Sequence, residues 1–309
     1  MKLGIIGGAG LLGATTAFCV AREGFADEII LSDVRENVAK SHAMDIEQAV
    51  CDTSATRLSA GSLDDVRHCN IILNVAGIPE RSTASRDDYL SGNIVIFREL
   101  ADKMKQWGTT PVILSATNPI DVLNYSLHKM TGLQREKLIG FSRNDTLRFK
   151  WAVSKETGIS VSQISALVIG EHGDGQVPLF SRLRRVDDGA IIDKGTTLDL
   201  ADDAKSRVLN TVKTWFADYQ KLDSGRSSGW TSGVGLCHLI KAIATESDEV
   251  LPCSVIPDGE YALNGVSISL PVRLGRGGVR EIVEVPLTDG ERAELSKAAE
   301  KIRQSINGL

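Results

Sequence analysis

The sequence predicts an α/β fold: a doubly wound parallel sheet in the first half, followed by an α+β half built on antiparallel sheets. Three observations carry this. From residue 2 to about residue 140, short apolar runs alternate with longer amphipathic stretches, the pattern of parallel strands joined by covering helices. The runs are apolar throughout, as strands buried on both faces are. After about residue 141 the alternation stops, and β-formers broken by Gly and Pro fill 252–285.

KLGII (2–6) reads as the first strand, 11–23 as a helix, EIILS (28–32) as a second strand ending at Asp33, and 35–50 as a second helix. NIILNVAG (70–77) is a strand leading into a polar loop, 78–88. A helix over about 89–107, PVILSATN (111–118), a helix over about 120–131 and the strand KLIG (137–140) complete the first half. In the second half, helical spacing covers about 145–157, a strand 162–170, and helices about 200–222 and 230–247. The final helix spans 288–306, with Thr288 as N-cap and Glu291 three residues on as its capping-box partner. The expected division is 1–141 and 142–309. No repeat or low-complexity tether separates the two, so they are expected to pack tightly.

At 309 residues the chain is long enough for about two domains of roughly 150 residues and for a sizeable core. Hydrophobic residues make up 42% and charged residues 24%, which excludes disorder as the main state. A net charge of −5 argues against nucleic acid as a partner, since that needs a basic face to displace counterions. No apolar run approaches the roughly 20 residues of a membrane span, and MKLGIIGGAG does not read as a secretory signal. The five cysteines are odd in number and form no CxxC, so no disulfide framework or metal site is expected, and the compartment is read as cytoplasmic.

Gly8, Gly10 and Gly13 satisfy GxGxxG between the first strand and the first helix. The chemistry needs a tight turn, a backbone that comes close to a pyrophosphate, and close helix–strand packing. The helix start then offers unpaired N–H groups to the phosphates. Asp33 ends the second strand 20 residues after Gly13, where a carboxylate accepts from ribose hydroxyls and repels a 2′-phosphate. This predicts a Rossmann-type unit over 1–141 that binds NAD rather than NADP through Gly8, Ala9, Gly10, Leu11, Leu12, Gly13 and Asp33. The bland reading is a structural turn with a capping Asp. Gly7, Gly10 and Gly13 also fit GxxGxxG of short-chain dehydrogenases, with Tyr125 and Lys129 as YxxxK.

Gly170-Glu171-His172-Gly173-Asp174 follows the strand SALVIG. A histidine there suits reversible proton transfer, with an unperturbed pKa of about 6.5. Together, GGAGLLG (7–13), Asp33, SRDDYLSGN (85–93), ATNPIDV (116–122), NDTLRFKWAV (144–153) and GEHGD (170–174) resemble the lactate/malate dehydrogenase family over essentially the full length. Asp145 and Arg148 precede His172 by 27 and 24 residues, as in that family, although the stretch from Gly140 to Asp145 is one residue short of its common pattern.

The resemblance implies that His172 is the proton donor and acceptor, with Asp145 fixing its tautomer. Arg148 would grip the substrate carboxylate with its planar fork, and Arg86 would close over the site and polarise the reacting C–O bond. Asn118, preceding a proline bond that the resemblance allows to be cis, would contact substrate and cofactor. Ala76, Asn93 and Ala116 would line the cofactor, and Thr231 would meet the substrate. Tyr125 and Lys129 are then ordinary helix residues, since the short-chain reading leaves GEHGD without a role. Two other classes are an NAD-using glycosidase, for which no Cys–His metal pair is convincingly placed, and a silent NAD sensor, against which the intact His172, Asp145 and Arg148 speak. Relatives of this kind are homodimers or homotetramers.

The family resemblance puts the choice of substrate six residues before Arg86, where lactate-type members carry Gln and malate-type members Arg. This chain carries Glu80, followed by Arg81. A second substrate carboxylate about 4 Å from Glu80 would be repelled by roughly 1–4 kcal/mol, unless Arg81 turns inward instead. The substrate read from this is a 2-hydroxy or 2-keto acid, either malate- or lactate-like or, because of Glu80, one with a hydroxylated or cationic tail. Replacing Glu80 by Gln or Arg is expected to reorder the activities on a panel of 2-keto acids followed by NADH absorbance. An unchanged order would remove Glu80 from substrate choice.

Overall fold

The computed structural model describes residues 1–78, 86–187, 195–223 and 228–309, with the backbone alone at Arg86, Asp87, Phe216 and Gln220. The first half runs β1 (Lys2–Ile6), α1 (Leu11–Glu23), β2 (Glu28–Ser32), α2 (Glu36–Val50), β3 (Arg57–Ala60), α3 (Leu63–Val66), β4 (Ile71–Asn74), α4 (Arg86–Met104), β5 (Val112–Ser115), α5 (Ile120–Thr131) and β6 (Leu138–Phe141). The second half runs α6 (Arg143–Thr157), β7 (Ile164–Ser165), β8 (Val168–Gly170), β9 (Gln176–Pro178), β10 (Arg184–Arg185), β11 (Thr196–Thr197), α7 (Asp202–Lys221), α8 (Gly229–Thr245), β12 (Val250–Val255), β13 (Ile268–Gly275), β14 (Gly278–Ile282) and α9 (Asp289–Asn307).

The main sheet has the order β3-β2-β1-β4-β5-β6-β12-β13-β8-β9, with β14 on β13. From β3 to β6 all pairings are parallel. The order 3-2-1-4-5-6 is that of the doubly wound dinucleotide fold, with its crevice where the winding reverses between β1 and β4. At β6 the sheet changes sense. β12 lies antiparallel to it, with Cys253 opposite Phe141 and Ser254 opposite Gly140. β12 and β13 then form a long antiparallel pair, and β13 carries β8. The central strands β4, β5 and β6 are buried at every residue, which is why they read as unbroken apolar runs.

The structure differs from the sequence expectation at β3, α3, the strand expected over 162–170, and the short strands β9, β10 and β11. β3 and α3 went unread because RLSA buries only Leu58 well at the sheet edge, leaving little apolar signal. The single strand expected over 162–170 is two. β7 joins β10 and β11 in a separate three-stranded sheet, and β8 joins the main sheet. Thr146 on α6 fills the backbone need at the break, its Oγ1 accepting from the Val168 N–H at 2.9 Å. At the C-terminus, Thr288 and Glu291 form the expected reciprocal cap.

The glycine-rich turn is fixed by contact. A Cβ at Gly13 would lie 2.5 Å from the Gly7 carbonyl oxygen, and one at Gly8 would lie 2.8 Å from Leu31 Cβ. The helix α8 approaches α1 as closely, since a Cβ at Gly233 would lie 2.4 Å from Thr15 Cγ2. Among the described residues, no helix is long and apolar enough to cross a membrane. Gly13→Ala is expected to cost about 1–3 kcal/mol of stability through forced backbone movement, read as a lower midpoint of thermal unfolding. An unshifted midpoint would show that the Gly7 carbonyl can yield.

Candidate active site

The turn between β1 and α1 is built by backbone bonds. Gly7, at φ 92°, and Gly8 both donate to the Ser32 carbonyl, at 2.8 and 3.1 Å. Asp33, at the end of β2, ties into the same turn. Its Oδ2 accepts from the Ala9 N–H at 3.0 Å and its Oδ1 from the Arg35 N–H at 2.9 Å, while Arg35 Nη2 donates to the Ala9 carbonyl at 2.9 Å. A carboxylate has about four acceptor positions, so two remain for ribose hydroxyls. The first helix opens at Gly10 with no side chain capping its N–H groups. A Cβ at Gly10 would approach only the Gly7 oxygen, at 3.3 Å. Helix-start donors without a side-chain cap, at the positive end of a helix, fit a pyrophosphate.

The next wall comes from the ends of β4 and β5. Asn93 on α4 holds two loops together, accepting from the Ile78 N–H at 2.8 Å and donating to the Asn118 carbonyl at 2.7 Å. Thr117 Oγ1 donates to the Ala76 carbonyl at 2.8 Å. The Asn118–Pro119 bond is cis.

His172 follows β8 in a turn that bonds to itself. The Glu171 N–H donates to the Gly175 carbonyl at 3.1 Å, and the Gly175 N–H returns to Glu171 Oε2 at 2.9 Å. Lys301 on α9 pins the same carboxylate at 2.7 Å. The imidazole meets α6, where Nδ1 lies 2.6 Å from Asp145 Oδ2. A carboxylate only accepts, so Nδ1 carries the proton and Nε2 is the acceptor of the neutral ring. The other oxygen of Asp145 accepts from Gln176 Nε2 at 3.0 Å. Burial opposes the charged imidazole, but the Asp145 carboxylate outweighs it with help from Asp121, and the pKa of His172 lies above 6.5.

Arg148, one turn along α6, lies 3.8 Å from Asp145 Oδ1, and its guanidinium lies over the Trp215 ring at 4.6 Å. Its side chain is 17% exposed. Burial lowers its pKa, partly offset by Asp145.

One cleft of about 2870 Å³ contains the glycine turn, His172, Asp145 and Arg148. Gly10, Leu11, Leu12, Gly13, Asp33, Ala76, Asn93, Ala116 and Asn118 line it as well. Gly8 and Ala9 do not, being buried beneath the turn against Leu31 and the sheet. Thr231 is exposed, and Ser232 lines the cleft beside it. The face of α8 that meets α1 carries Gly229 and Gly233, one turn apart, and Thr231 falls between them on another face. Ser232 instead accepts from Asn144 Nδ2 at 2.7 Å and donates to the Ser228 carbonyl at 2.9 Å. Glu80, Arg81 and the side chain of Arg86 lie outside the described residues, and the backbone of Arg86 opens α4. Sequence reasoning missed Asp121, Gln176 and Trp215. The first stands inside the ATNPIDV motif, and the other two carry no local signal. Among the described residues, no group of three or more His, Cys, Asp or Glu is placed to hold a metal.

A dinucleotide crevice that also holds a carboxylate-backed histidine defines a nicotinamide-dependent dehydrogenase. Residues 1–140 match the family model described as the NAD binding domain of lactate/malate dehydrogenase, and residues 143–309 match that family's alpha/beta C-terminal domain. The chain belongs to the lactate/malate dehydrogenase family, and its cofactor is NAD. It is 32% identical to the malate dehydrogenase of Haloarcula marismortui, covering 100% of this chain and 99% of that one. It is 30% identical to the L-lactate dehydrogenase of Treponema denticola, covering 98% and 96%. The solved malate dehydrogenase of Aeropyrum pernix superposes with a TM-score of 0.91 at 27% identity, covering 99% and 98%.

Asp145→Asn keeps an acceptor for Nδ1 but removes the charge. It is expected to lower the His172 pKa by about 1–2 units, read from the imidazole resonances by NMR. An unmoved titration would show that Asp145 does not govern His172.

Proposed function

We propose that this chain interconverts a 2-hydroxy acid and its 2-keto acid, with His172 moving the proton. The observation that carries this is the 2.6 Å contact of Asp145 with His172 Nδ1, in one cleft with the uncapped start of α1 and Arg148. Bound NAD supplies the hydride acceptor. His172 Nε2 accepts the proton of the substrate hydroxyl, and Asp145 stabilises the imidazolium that results. In the reverse direction the protonated ring returns that proton to the forming alkoxide.

Arg148 fits a substrate carboxylate. Its planar fork suits two parallel hydrogen bonds, and Trp215 supports its face without using its N–H donors. Arg86, at the start of α4, is assigned the polarisation of the reacting C–O bond, and Asn118 a contact to substrate and cofactor. Asp33, Gly10, Gly13, Ala76, Asn93 and Ala116 are assigned to the cofactor. The names of the relatives are split between malate and L-lactate dehydrogenases. For this chain, Glu80 favours a substrate tail without a second carboxylate. The protein is further proposed to divide at residues 141 and 142 and to act in the cytoplasm as a homodimer or homotetramer. Phe18 on α1 and Val234 on α8 are exposed apolar residues on two helices packed together, a surface suited to a second copy.

The raised pKa of His172 fixes the sign of the pH dependence. Keto acid reduction needs the protonated ring, so it holds above pH 6.5 and falls as pH rises through the raised value. Hydroxy acid oxidation needs the neutral ring and rises over the same range. His172→Gln is expected to lose about 10²–10⁴-fold in turnover while still binding NADH, followed by protein fluorescence. Turnover within a few-fold of the parent would reject His172 as the proton carrier.

A further inference from the structure

We propose that Asp121 is a positioning residue for His172, holding the main chain at residue 172 and placing a second carboxylate beside it. This rests on the reading of His172 as the proton carrier. Asp121 stands in the first turn of α5, 51 residues before His172 in sequence, and its side chain is almost fully buried. Its Oδ2 accepts from the His172 N–H at 2.7 Å, and its Oδ1 accepts from Ser254 Oγ at 2.5 Å.

Behind this carboxylate lies a directed network. The Ser254 hydroxyl donates to Asp121, so at the 2.9 Å contact between Ser254 and Ser267 it must accept from Ser267. Ser267 in turn accepts from Asn124 Nδ2 at 2.9 Å. The hydroxyl donors of Ser267 and Ser254 therefore run in sequence towards Asp121, while Asn124 Nδ2 also donates to the Ser254 carbonyl at 3.3 Å. Asn124, Ser254 and Ser267 are fully buried, so this polarity is built into the core and not borrowed from water. The start of α5 adds its partial positive charge.

Holding one backbone N–H needs only an acceptor, which an asparagine also supplies. A buried carboxylate is a costly way to do that unless its charge is used. The group that can use it is the neighbouring imidazole, which becomes cationic during the proposed reaction. Among the described residues, the charges acting on His172 are Asp145 and Arg148 on α6 and Asp121 on α5; Glu171 and Asp174 stand in its own turn, and Lys301 on α9 pairs with Glu171. Asp145 and Asp121 both favour the charged ring, while Arg148 opposes it. Asp121 itself is pushed up by burial to about 6, against the bonds from Ser254 and His172, so it stays mostly charged at pH 7.

Asp121→Asn keeps an acceptor for the His172 N–H, and Ser254 can turn to accept from the new amide. The variant is expected to fold and to bind NADH as the parent does. Its His172 pKa, read by NMR with His172→Gln assigning the resonance, is expected to fall by about 0.5 unit or more. The high-pH limb of keto acid reduction should move down by the same amount. A His172 pKa equal to the parent's would overturn the proposal, whatever happens to the rate, because a purely structural Asp121 would leave that titration in place. A moved NMR titration with an unmoved rate limb would support Asp121 but reject His172 as the proton carrier. Should Asp121→Asn not fold, Ser254→Ala leaves the carboxylate and removes one donor. The pKa of Asp121 then rises, and the His172 pKa should fall, as in Asp121→Asn, by less. No movement in Ser254→Ala would overturn the proposal.

Discussion

The site depends on keeping one charged carboxylate, Asp145, almost wholly out of water. An ion of that kind is tolerated only when its oxygens are engaged. Here one oxygen faces the His172 ring at 2.6 Å and the other accepts from Gln176 at 3.0 Å. The three groups come from α6, the turn after β8, and the start of β9. Satisfying Asp145 therefore fixes where β8 and β9 stand against α6, and the cost of the buried charge becomes a constraint on the fold. The constraint also acts in the other direction. With Asp145 engaged on both sides, the ring of His172 has one tautomer and one orientation.

The second constraint is the seam where the parallel sheet meets the antiparallel one. β6 pairs with β12 over only two residue pairs. Ser254 sits in that short pairing and reaches Asp121 on α5. Arg135 adds a two-pronged contact across the same junction, to Glu260 at 2.9 and 3.0 Å. Polar contacts thus hold the glycine turn and the histidine in one frame, although they belong to opposite halves of the chain. A rigid junction suits the proposed chemistry, in which a proton acceptor must meet the hydroxyl and a hydride acceptor the carbon of one C–OH group, since small misplacements are costly there.

Much of this was legible in the sequence, for identifiable reasons. The parallel half could be read because its strands are buried on both faces and its helices alternate with them. The glycine turn could be read because Gly8 and Gly13 sit where a Cβ would crowd its neighbours to within 3 Å. The pairing of Asp145 with His172 came only through resemblance, since 27 residues and a change of sheet separate them. β3 was lost because an edge strand with one well-buried side chain has almost no period. The break between β7 and β8 was lost because Ala166 and Leu167 are as apolar as their neighbours. Asp121 carried no signal of its own, since a carboxylate in the first turn of a helix is ordinary, and only the folded chain brings it to the His172 N–H. Thr231 was carried over by resemblance; it is exposed beside Ser232, which lines the cleft.

The support given to Arg148 narrows the chemistry further. A guanidinium proposed to receive a substrate carboxylate must not already be hydrogen-bonded to one of the protein's own. Asp145 is near, at 3.8 Å, but that distance is beyond a hydrogen bond, and its oxygens are committed elsewhere. Among the described residues, no other carboxylate forms an ion pair with Arg148. The protein instead supports the cation on the face of Trp215, itself stacked on Tyr219 with ring centres 5.4 Å apart. An aromatic face stabilises a cation through its ring electrons and leaves the N–H edge available. Arg148 is thereby partly desolvated and held in place, and its two donors match a planar carboxylate, as its proposed role requires. Burial makes that requirement strict. In open water the guanidinium would be satisfied by solvent and would discriminate little, whereas in the cleft only a ligand of the right charge and shape restores what desolvation removed.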